Sequence, residues 1–96
     1  MRYRVYILTN SDNNVLYVGV TNDLQKRLLQ HRNNIFDGFT ARYNIHKLVY
    51  AEEFQDIYDA IAREKQIKSW SRARKIALIS EFNPAWRDMQ PIDEIY

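Results

Sequence analysis

The chain has 96 residues, 46% hydrophobic and 27% charged, a composition typical of one compact domain over residues 1–96. It has no cysteine and two histidines, which excludes a disulfide framework and a thiolate zinc site. No stretch approaches the roughly 18 apolar residues of a membrane span, and the N-terminus MRYRVYILTN lacks the long apolar segment of a signal peptide. We therefore expect a cytoplasmic protein with no membrane partner.

The basic residues are unevenly placed, although the formal net charge is only +2. Between residues 63 and 75 the chain carries one glutamate and six basic residues, Arg63, Lys65, Lys68, Arg72, Arg74 and Lys75. Such a patch attracts polyanions even when the whole chain is nearly neutral. A solvated helix face explains the same run without a ligand. Charge alone leaves both interpretations open.

Two runs rich in β-branched and aromatic residues predict an antiparallel hairpin near the start of the chain. The first is residues 3–9 (YRVYILT) and the second is residues 15–20 (VLYVGV), with the turn-forming SDNN between them. Gly19 is unusual inside a strand, because glycine there gives up packing and marks a bulge or a close approach of other atoms. A substrate beside Tyr17 would account for this glycine.

The segment after the hairpin predicts a helix from about Asp23 to Arg32. Asn22 and Gln25 match a capping box, in which a polar residue before the helix and a Gln or Glu three positions later bond each other's backbone. Asp23 then places a negative charge in the first turn, where the helix dipole favours it.

Two polar residues interrupt the apolar face of this first helix. At 100 degrees per residue, Arg27 and His31 share the face of Leu24 and Leu28. The structural alternatives are a core histidine bonded to backbone and an arginine whose stem covers the core while its head reaches solvent. A later helix is interrupted in the same way at Glu64, and two such helices in one small domain are notable, so a functional role for both residues stays open.

The rest of the chain predicts one strand and two helices. We expect a loop over residues 33–46, with one helical turn around Ala41, and a strand over residues 47–54 (KLVYAEEF). Asp56 is the predicted cap of a helix that runs to about Lys68. Ser71 is the predicted cap of a helix over 72–82, which Asn83-Pro84 ends. The order is β-β-α-β-α-α. It predicts an α+β fold with a three-stranded antiparallel sheet flanked by helices.

An acidic residue lies in the apolar stripe of the second predicted helix. Glu64 falls among Ile57, Ala60, Ile61 and Ile67. Because burying an unpaired carboxylate is costly, Glu64 must be paired, protonated, bound to a metal or exposed in a cleft. An ordinary pair with Lys68, four residues later, is the structural alternative.

These residues together resemble a known family. Tyr6 lies on the first strand, Tyr17-Val18-Gly19 on the second, Arg27 eight positions after the glycine, and Glu64 on a later helix. The pattern resembles the GIY-YIG nuclease superfamily, in particular its small stand-alone bacterial members. Arg4-Val5-Tyr6 takes the place of GIY and Tyr17-Val18-Gly19 that of YIG. The segments RLLQH, AIAREKQIKSWSRARK and NPAW extend the resemblance over nearly the whole chain.

The resemblance implies hydrolysis of DNA phosphodiester bonds with one Mg²⁺ or Mn²⁺ ion and no organic cofactor. Carried over to this sequence, Glu64 holds the metal, Arg27 contacts the scissile phosphate, Tyr17 takes the proton of the attacking water and Tyr6 positions that water. Some members carry a lysine where this chain has Val20, so His31 and Lys68 are the alternatives for assisting the proton transfer. Arg4 is a lesser departure, since small members vary there.

The resemblance also implies how nucleic acid binds. The contacts come from the basic run at 63–75 together with Trp70, and from loop residues such as Arg42. Phosphate contacts position DNA without reading its sequence, so we expect little sequence specificity or a preference for a DNA structure, with RNA as an alternative partner and DNA repair as the setting. Two rivals remain, a nucleic-acid-binding module without catalysis and a protein-interaction domain.

Overall fold

The structure is a computed structural model that describes residues 2–33 and 42–89. Its elements are β1 (Tyr3–Thr9), β2 (Leu16–Thr21), α1 (Leu24–Arg32), β3 (Lys47–Phe54), α2 (Ile57–Ser69) and α3 (Arg72–Phe82). The predicted β-β-α-β-α-α order is confirmed. The helical turn expected around Ala41 lies outside the described residues. None of the helices in the two described ranges is long and apolar enough to cross a membrane.

The strands of the described chain form one three-stranded antiparallel sheet in the order β2-β1-β3. The α+β class and the sheet predicted from the sequence are thereby confirmed. Because β1 is the central strand, Tyr6 faces Gly19 on β2 and Ala51 on β3. The register between β1 and β3 shifts between Ile7 and Leu8, which marks a β-bulge.

Side chains alternate along β1 and supply a separate core on each face of the sheet. One face joins Val5, Ile7 and Val18 to helix residues Ala60, Ile67 and Ile79. The other face joins Tyr6 and Leu8 to Leu24 and Leu28. Helices α2 and α3 therefore cover one face of the sheet and α1 covers the other, so Tyr6 points toward α1.

The start of α1 corrects the predicted capping box. The cap is Asp23, not Asn22, because the Asp23 carboxylate accepts a hydrogen bond of 3.1 Å from the backbone N–H of Lys26. Thr21 selects this position, since its hydroxyl oxygen accepts the N–H of Asp23 at 3.1 Å. The helix then begins at Leu24, one residue later than expected, and this turn connects β2 directly to α1.

The other boundaries lie close to their predictions. β2 runs one residue later, from Leu16 to Thr21, and the side chains of Asp56 and Ser71 cap α2 and α3 as predicted. Asn83 ends α3 and is buried, and its amide donates to the carbonyls of Val49 at 3.2 Å and Arg87 at 2.9 Å. The residue that stops α3 thus also ties the following segment to β3.

Candidate active site

Three aromatic rings meet on the α1 side of the sheet, and we call them the ring cluster. They belong to Tyr6 on β1, Tyr17 on β2 and His31 on α1. The ring centroids lie 6.4 Å apart for Tyr6–Tyr17, 6.2 Å for Tyr6–His31 and 5.1 Å for Tyr17–His31. The Tyr6 hydroxyl is also 3.5 Å from Nε2 of His31, a long hydrogen bond whose donor depends on the histidine tautomer. The fold thus unites three predicted site residues.

The members of the ring cluster differ in their access to solvent. Tyr6 is 0% exposed and His31 is 1% exposed, whereas Tyr17 is partly exposed. Tyr17 is therefore the member that a water or a substrate reaches directly. Tyr6 was expected to position the attacking water, but a hydroxyl with no exposed surface acts on that water only through its neighbours. The burial of His31 agrees with a core histidine, one whose ring packs against the two tyrosines.

Gly19 makes space for the ring of Tyr6, which lies opposite it in the sheet. A Cβ atom built on Gly19 would lie 2.5 Å from both Cζ and the hydroxyl oxygen of Tyr6. The close approach expected from this glycine therefore involves the Tyr6 ring. The expectation that a substrate beside Tyr17 explains Gly19 is corrected, because the chain's own side chain fills that space.

We expect Gly19→Ala to displace the Tyr6 ring and to lower the free energy of unfolding by about 1–3 kcal/mol, the usual cost of overpacking a core. Urea denaturation measures this loss. The matched control is the same substitution in a Tyr6→Leu background, where the ring is absent and the added methyl group should cost much less. Equal costs in the two backgrounds would show that another contact requires the glycine.

Arg27 connects the ring cluster to the protein surface. It is half-buried on α1, and its guanidinium lies close enough to the hydroxyl of Tyr6 to lower the pKa of that hydroxyl. Its side chain also lines two adjoining pockets of about 220 and 150 Å³. A guanidinium that lines a pocket at the protein surface is well placed to receive an anionic group.

Glu64 forms the ion pair with Lys68 that was considered above as the alternative to a functional role. Its charge also acts on Tyr6 in the ring cluster. Its Oε2 lies 2.8 Å from Nζ of Lys68, and its side chain is 13% exposed whereas that of Lys68 is 55% exposed. Its negative charge also opposes ionisation of Tyr6. The carboxylate is therefore shielded, paired with a flexible surface cation, and near enough to Tyr6 to act on its charge.

The environment of Tyr6 keeps its hydroxyl protonated. Burial raises the pKa of Tyr6 well above its usual value near 10, the neighbouring Tyr17 and Glu64 raise it further, and Arg27 opposes them only in part. Tyr6 is therefore a permanent hydrogen-bond donor at physiological pH and is unsuited to act as the general base.

The raised pKa of Tyr6 predicts a loss of stability in alkali. The unfolded chain releases this proton near pH 10 and the folded protein keeps it, so the stabilisation is complete below that pH and falls above it by up to about 1.4 kcal/mol per pH unit. Urea denaturation of Tyr6→Phe between about pH 10 and 12 should show a shallower loss than the wild type. Tyr58→Phe, at an exposed position, is the control, and identical slopes for wild type and Tyr6→Phe would contradict the assignment.

The basic residues expected to bind nucleic acid include two that pair with glutamates, Lys68 and Arg63. Lys68 lies beside Glu64. Arg63 instead donates to Glu52 at 2.9 Å and to Gln66 at 2.7 Å. The remaining members are Arg42, Lys65, Arg72 and Arg74, all exposed, and the half-buried Lys75. The pairing of Arg63 holds α2 to β3, so any phosphate contact of this residue competes with Glu52.

Trp70 lies under two of these arginines. The guanidinium carbon of Arg74 is 4.1 Å from the centre of the indole ring, and that of Arg63 is 5.2 Å from it. Cation–π contacts of this kind hold an arginine in place over a ring face. Trp70 therefore presents the two guanidinium groups as a fixed cationic surface at the junction of α2 and α3.

The donor set near the ring cluster fits a metal ion with few protein ligands. Within residues 2–33 and 42–89, no group of three His, Cys, Asp or Glu side chains is arranged to hold a metal. Mg²⁺ commonly takes only one or two carboxylates and fills its octahedron with water and phosphate oxygens. Glu64 fits this requirement as a shielded hard-oxygen donor, and Lys68 is the group that an ion at Oε2 would displace.

The comparison with protein families gives this arrangement its context. The family model described as the GIY-YIG catalytic domain matches residues 2–77. The chain belongs to the GIY-YIG family. Its relatives include a UPF0213 protein of Staphylococcus saprophyticus, 36% identical over 80 residues that cover 83% of this chain and 96% of the relative. Another is a UPF0213 protein of Clostridium perfringens, 42% identical, covering 79% of this chain and 81% of the relative.

A solved GIY-YIG relative has the same fold. The solution NMR structure of a UPF0213 protein from Bacillus halodurans matches 92% of this chain and 93% of the relative, with 28% identity and a TM-score of 0.59. Membership of the GIY-YIG family supports a nuclease-family role with nucleic acid as the substrate. Arg4, which replaces the first glycine of the GIY triplet, hydrogen-bonds Glu53 on β3 at 3.1 Å.

Proposed function

We propose that the protein is a metal-dependent endonuclease that hydrolyses DNA phosphodiester bonds, with one Mg²⁺ or Mn²⁺ ion and with little sequence specificity or a preference for a DNA structure. The observation that carries this proposal is that Arg27 and Glu64 both lie near enough to Tyr6 to act on its ionisation, and that Tyr6 packs beside the partly exposed Tyr17. An acid, an arginine and a tyrosine at one place supply the groups needed for phosphodiester hydrolysis.

Arg27 is assigned to the scissile phosphate. Its planar guanidinium has five N–H donors, and its side chain lines both pockets beside the ring cluster. Donors aimed at phosphoryl oxygens stabilise the charge that develops there during the reaction, and they do so most strongly when they are fixed in advance. The role of Tyr6 is therefore to fix Arg27, a positioning role that its burial permits.

Glu64 is assigned to hold the metal ion. When bound, the ion supplies Lewis-acid stabilisation of the phosphoryl oxygens. The ammonium of Lys68, displaced from Glu64, is then free to contact a phosphate, since its side chain is already largely exposed. The ion pair thus keeps the carboxylate neutralised in the metal-free protein and leaves a cation close to where the substrate binds.

Tyr17 is assigned to accept the proton of the attacking water. It is the partly exposed member of the ring cluster, and His31 packs against it at 5.1 Å. Of the two residues expected to assist in place of a lysine at position 20, His31 is too buried to reach the water directly. Lys68 is exposed and pairs with Glu64, so we assign the assisting role to Lys68 rather than to His31.

A nucleic-acid-binding module without catalysis is the second candidate. The observation that favours it is the Glu64–Lys68 ion pair, because a carboxylate that stays neutralised by a lysine would not hold a metal. Both candidates bind DNA, but only the endonuclease needs an accessible carboxylate, so metal-dependent cleavage distinguishes them.

Incubation with supercoiled plasmid, single-stranded DNA and branched DNA distinguishes the candidates. Each substrate is tested with Mn²⁺, with Mg²⁺ and with EDTA, and binding is measured in parallel at several salt concentrations. We expect nicking or cleavage that requires metal. Salt-sensitive binding without cleavage of any substrate would favour the binding module, and no nucleic-acid binding at all would favour a protein-interaction role.

A further inference from the structure

A cleft between β2 and α2 adjoins the candidate active site, and we call it the β2–α2 cleft. Its volume is about 220 Å³, and its lining combines the apolar Val20, Ile57 and Ile61 and the ring of Tyr3 with the polar Asn22 and Arg27. Ile61 precedes Glu64 by one helical turn on α2. The cleft thus presents apolar surface together with an amide and a guanidinium, and the proposed metal-binding residue follows on the same helix.

We propose that the β2–α2 cleft binds one unstacked nucleobase of the nucleic acid, next to the phosphate that Arg27 contacts. This inference rests on the proposed function and deepens it by assigning a base-binding site. A nucleotide has apolar ring faces, a polar base edge and an attached phosphate, and the cleft offers apolar side chains, an amide and a guanidinium that suit these three parts.

The size of the cleft limits its occupant to a single ring system. Pockets for drug-sized ligands measure roughly 300–1,000 Å³, and the β2–α2 cleft is smaller, at about 220 Å³. Two stacked bases or a base pair would exceed it. The base that enters must therefore leave its neighbours, which requires single-stranded nucleic acid or a locally unpaired nucleotide.

Val20 and Ile57 contribute to the apolar character of the cleft. Val20 forms part of one wall, where a lysine would bring a charge against the ring faces of a base. Ile57 forms part of the opposite wall and is 41% exposed, so an apolar surface faces solvent close to the cationic Arg27. Contact with a base would remove this surface from water while the attached phosphate pairs with Arg27.

The test measures binding without metal, so that cleavage does not enter the result. Fluorescence anisotropy in EDTA compares an oligothymidylate with a fully abasic oligomer of the same length, which keeps every phosphate and lacks every base. We expect the wild type to bind the oligothymidylate roughly tenfold more tightly, the effect of stacking one base.

Two matched variants test whether the preference for oligothymidylate arises in the β2–α2 cleft. Ile57→Gln makes one wall polar at similar size, and Leu29→Gln makes the same change at a comparably exposed position on α1, 44% against 41% exposed. Ile57→Gln should abolish most of the preference without weakening abasic binding, and Leu29→Gln should preserve it. Abasic binding also serves as the check that each variant is folded.

The outcomes separate this inference from the proposed function. A wild type that binds both oligomers equally, or an Ile57→Gln variant that keeps the preference, would overturn the base site and leave the nuclease proposal standing. A preference that disappears in Trp70→Leu but survives in Ile57→Gln would move base binding to the Trp70 surface and likewise overturn it. Failure to bind either oligomer would overturn the base site, whereas the nuclease proposal is overturned only if plasmid and branched DNA are not cleaved either.

Discussion

Arg27→Ala should lower the rate of metal-dependent DNA cleavage by about 10²–10³-fold, the usual loss when a fixed donor to the transition state is removed. The reason is that Arg27 lies beside the buried hydroxyl of Tyr6 and lines both surface pockets, so its guanidinium is placed where the scissile phosphate would bind. Arg27→Lys should recover only part of the rate, because an ammonium lacks the planar fork of donors. Single-turnover cleavage of labelled DNA measures both variants.

Arg32→Ala is the matched control for Arg27. It removes the same side chain from the exposed last residue of α1, outside both pockets. Urea denaturation of each variant separates a catalytic loss from unfolding, since Arg27→Ala also removes a half-buried side chain beside Tyr6. If Arg27→Ala and Arg32→Ala both cleave within a few-fold of the wild type, Arg27 does not contact the scissile phosphate.

Glu64→Gln should reduce cleavage by about 10³-fold, because the amide keeps the shape of the side chain but removes the charge that holds the metal. Calorimetric titration with Mn²⁺ in the absence of DNA should show a large loss of affinity. Binding of DNA in EDTA should be unchanged or slightly tighter, since the variant removes a negative charge and releases Lys68 to contact phosphate.

Glu81→Gln makes the same substitution at an exposed position on α3 and is the control for Glu64. It should cleave DNA and bind Mn²⁺ as the wild type does. A Glu64→Gln variant with wild-type Mn²⁺ affinity would place the metal elsewhere. One that keeps full cleavage would show that the Glu64–Lys68 ion pair is purely structural.

The order and type of the elements were predictable because each depends on local patterns. Residues 3–9 and 47–54 are runs of β-branched and aromatic types, and the structure places β1 and β3 over those same ranges. The predicted cap of α1 was wrong because Asn22 and Asp23 are both good capping residues. The choice between them was made by Thr21, whose side chain accepts the N–H of Asp23.

The candidate site was predictable where a residue breaks the pattern of its own element. Arg27 and Glu64 interrupt apolar helix faces, so their positions stand out without knowledge of the fold. The reason for Gly19 was not predictable, because it depends on the register that places Tyr6 opposite it. The partner of Arg63 was likewise hidden, since Glu52 lies eleven residues earlier and meets Arg63 only when α2 packs on β3.

The proposed function requires that Arg27, Glu64 and the ring cluster together form a metal-dependent nuclease site. The most direct test compares wild type and Glu64→Gln, purified identically, on end-labelled DNA with Mn²⁺ and with EDTA. We expect strand cleavage by the wild type with Mn²⁺, no cleavage in EDTA, and about 10³-fold slower cleavage by Glu64→Gln. Equal cleavage by the two proteins, or equal binding with no cleavage by either, would contradict it.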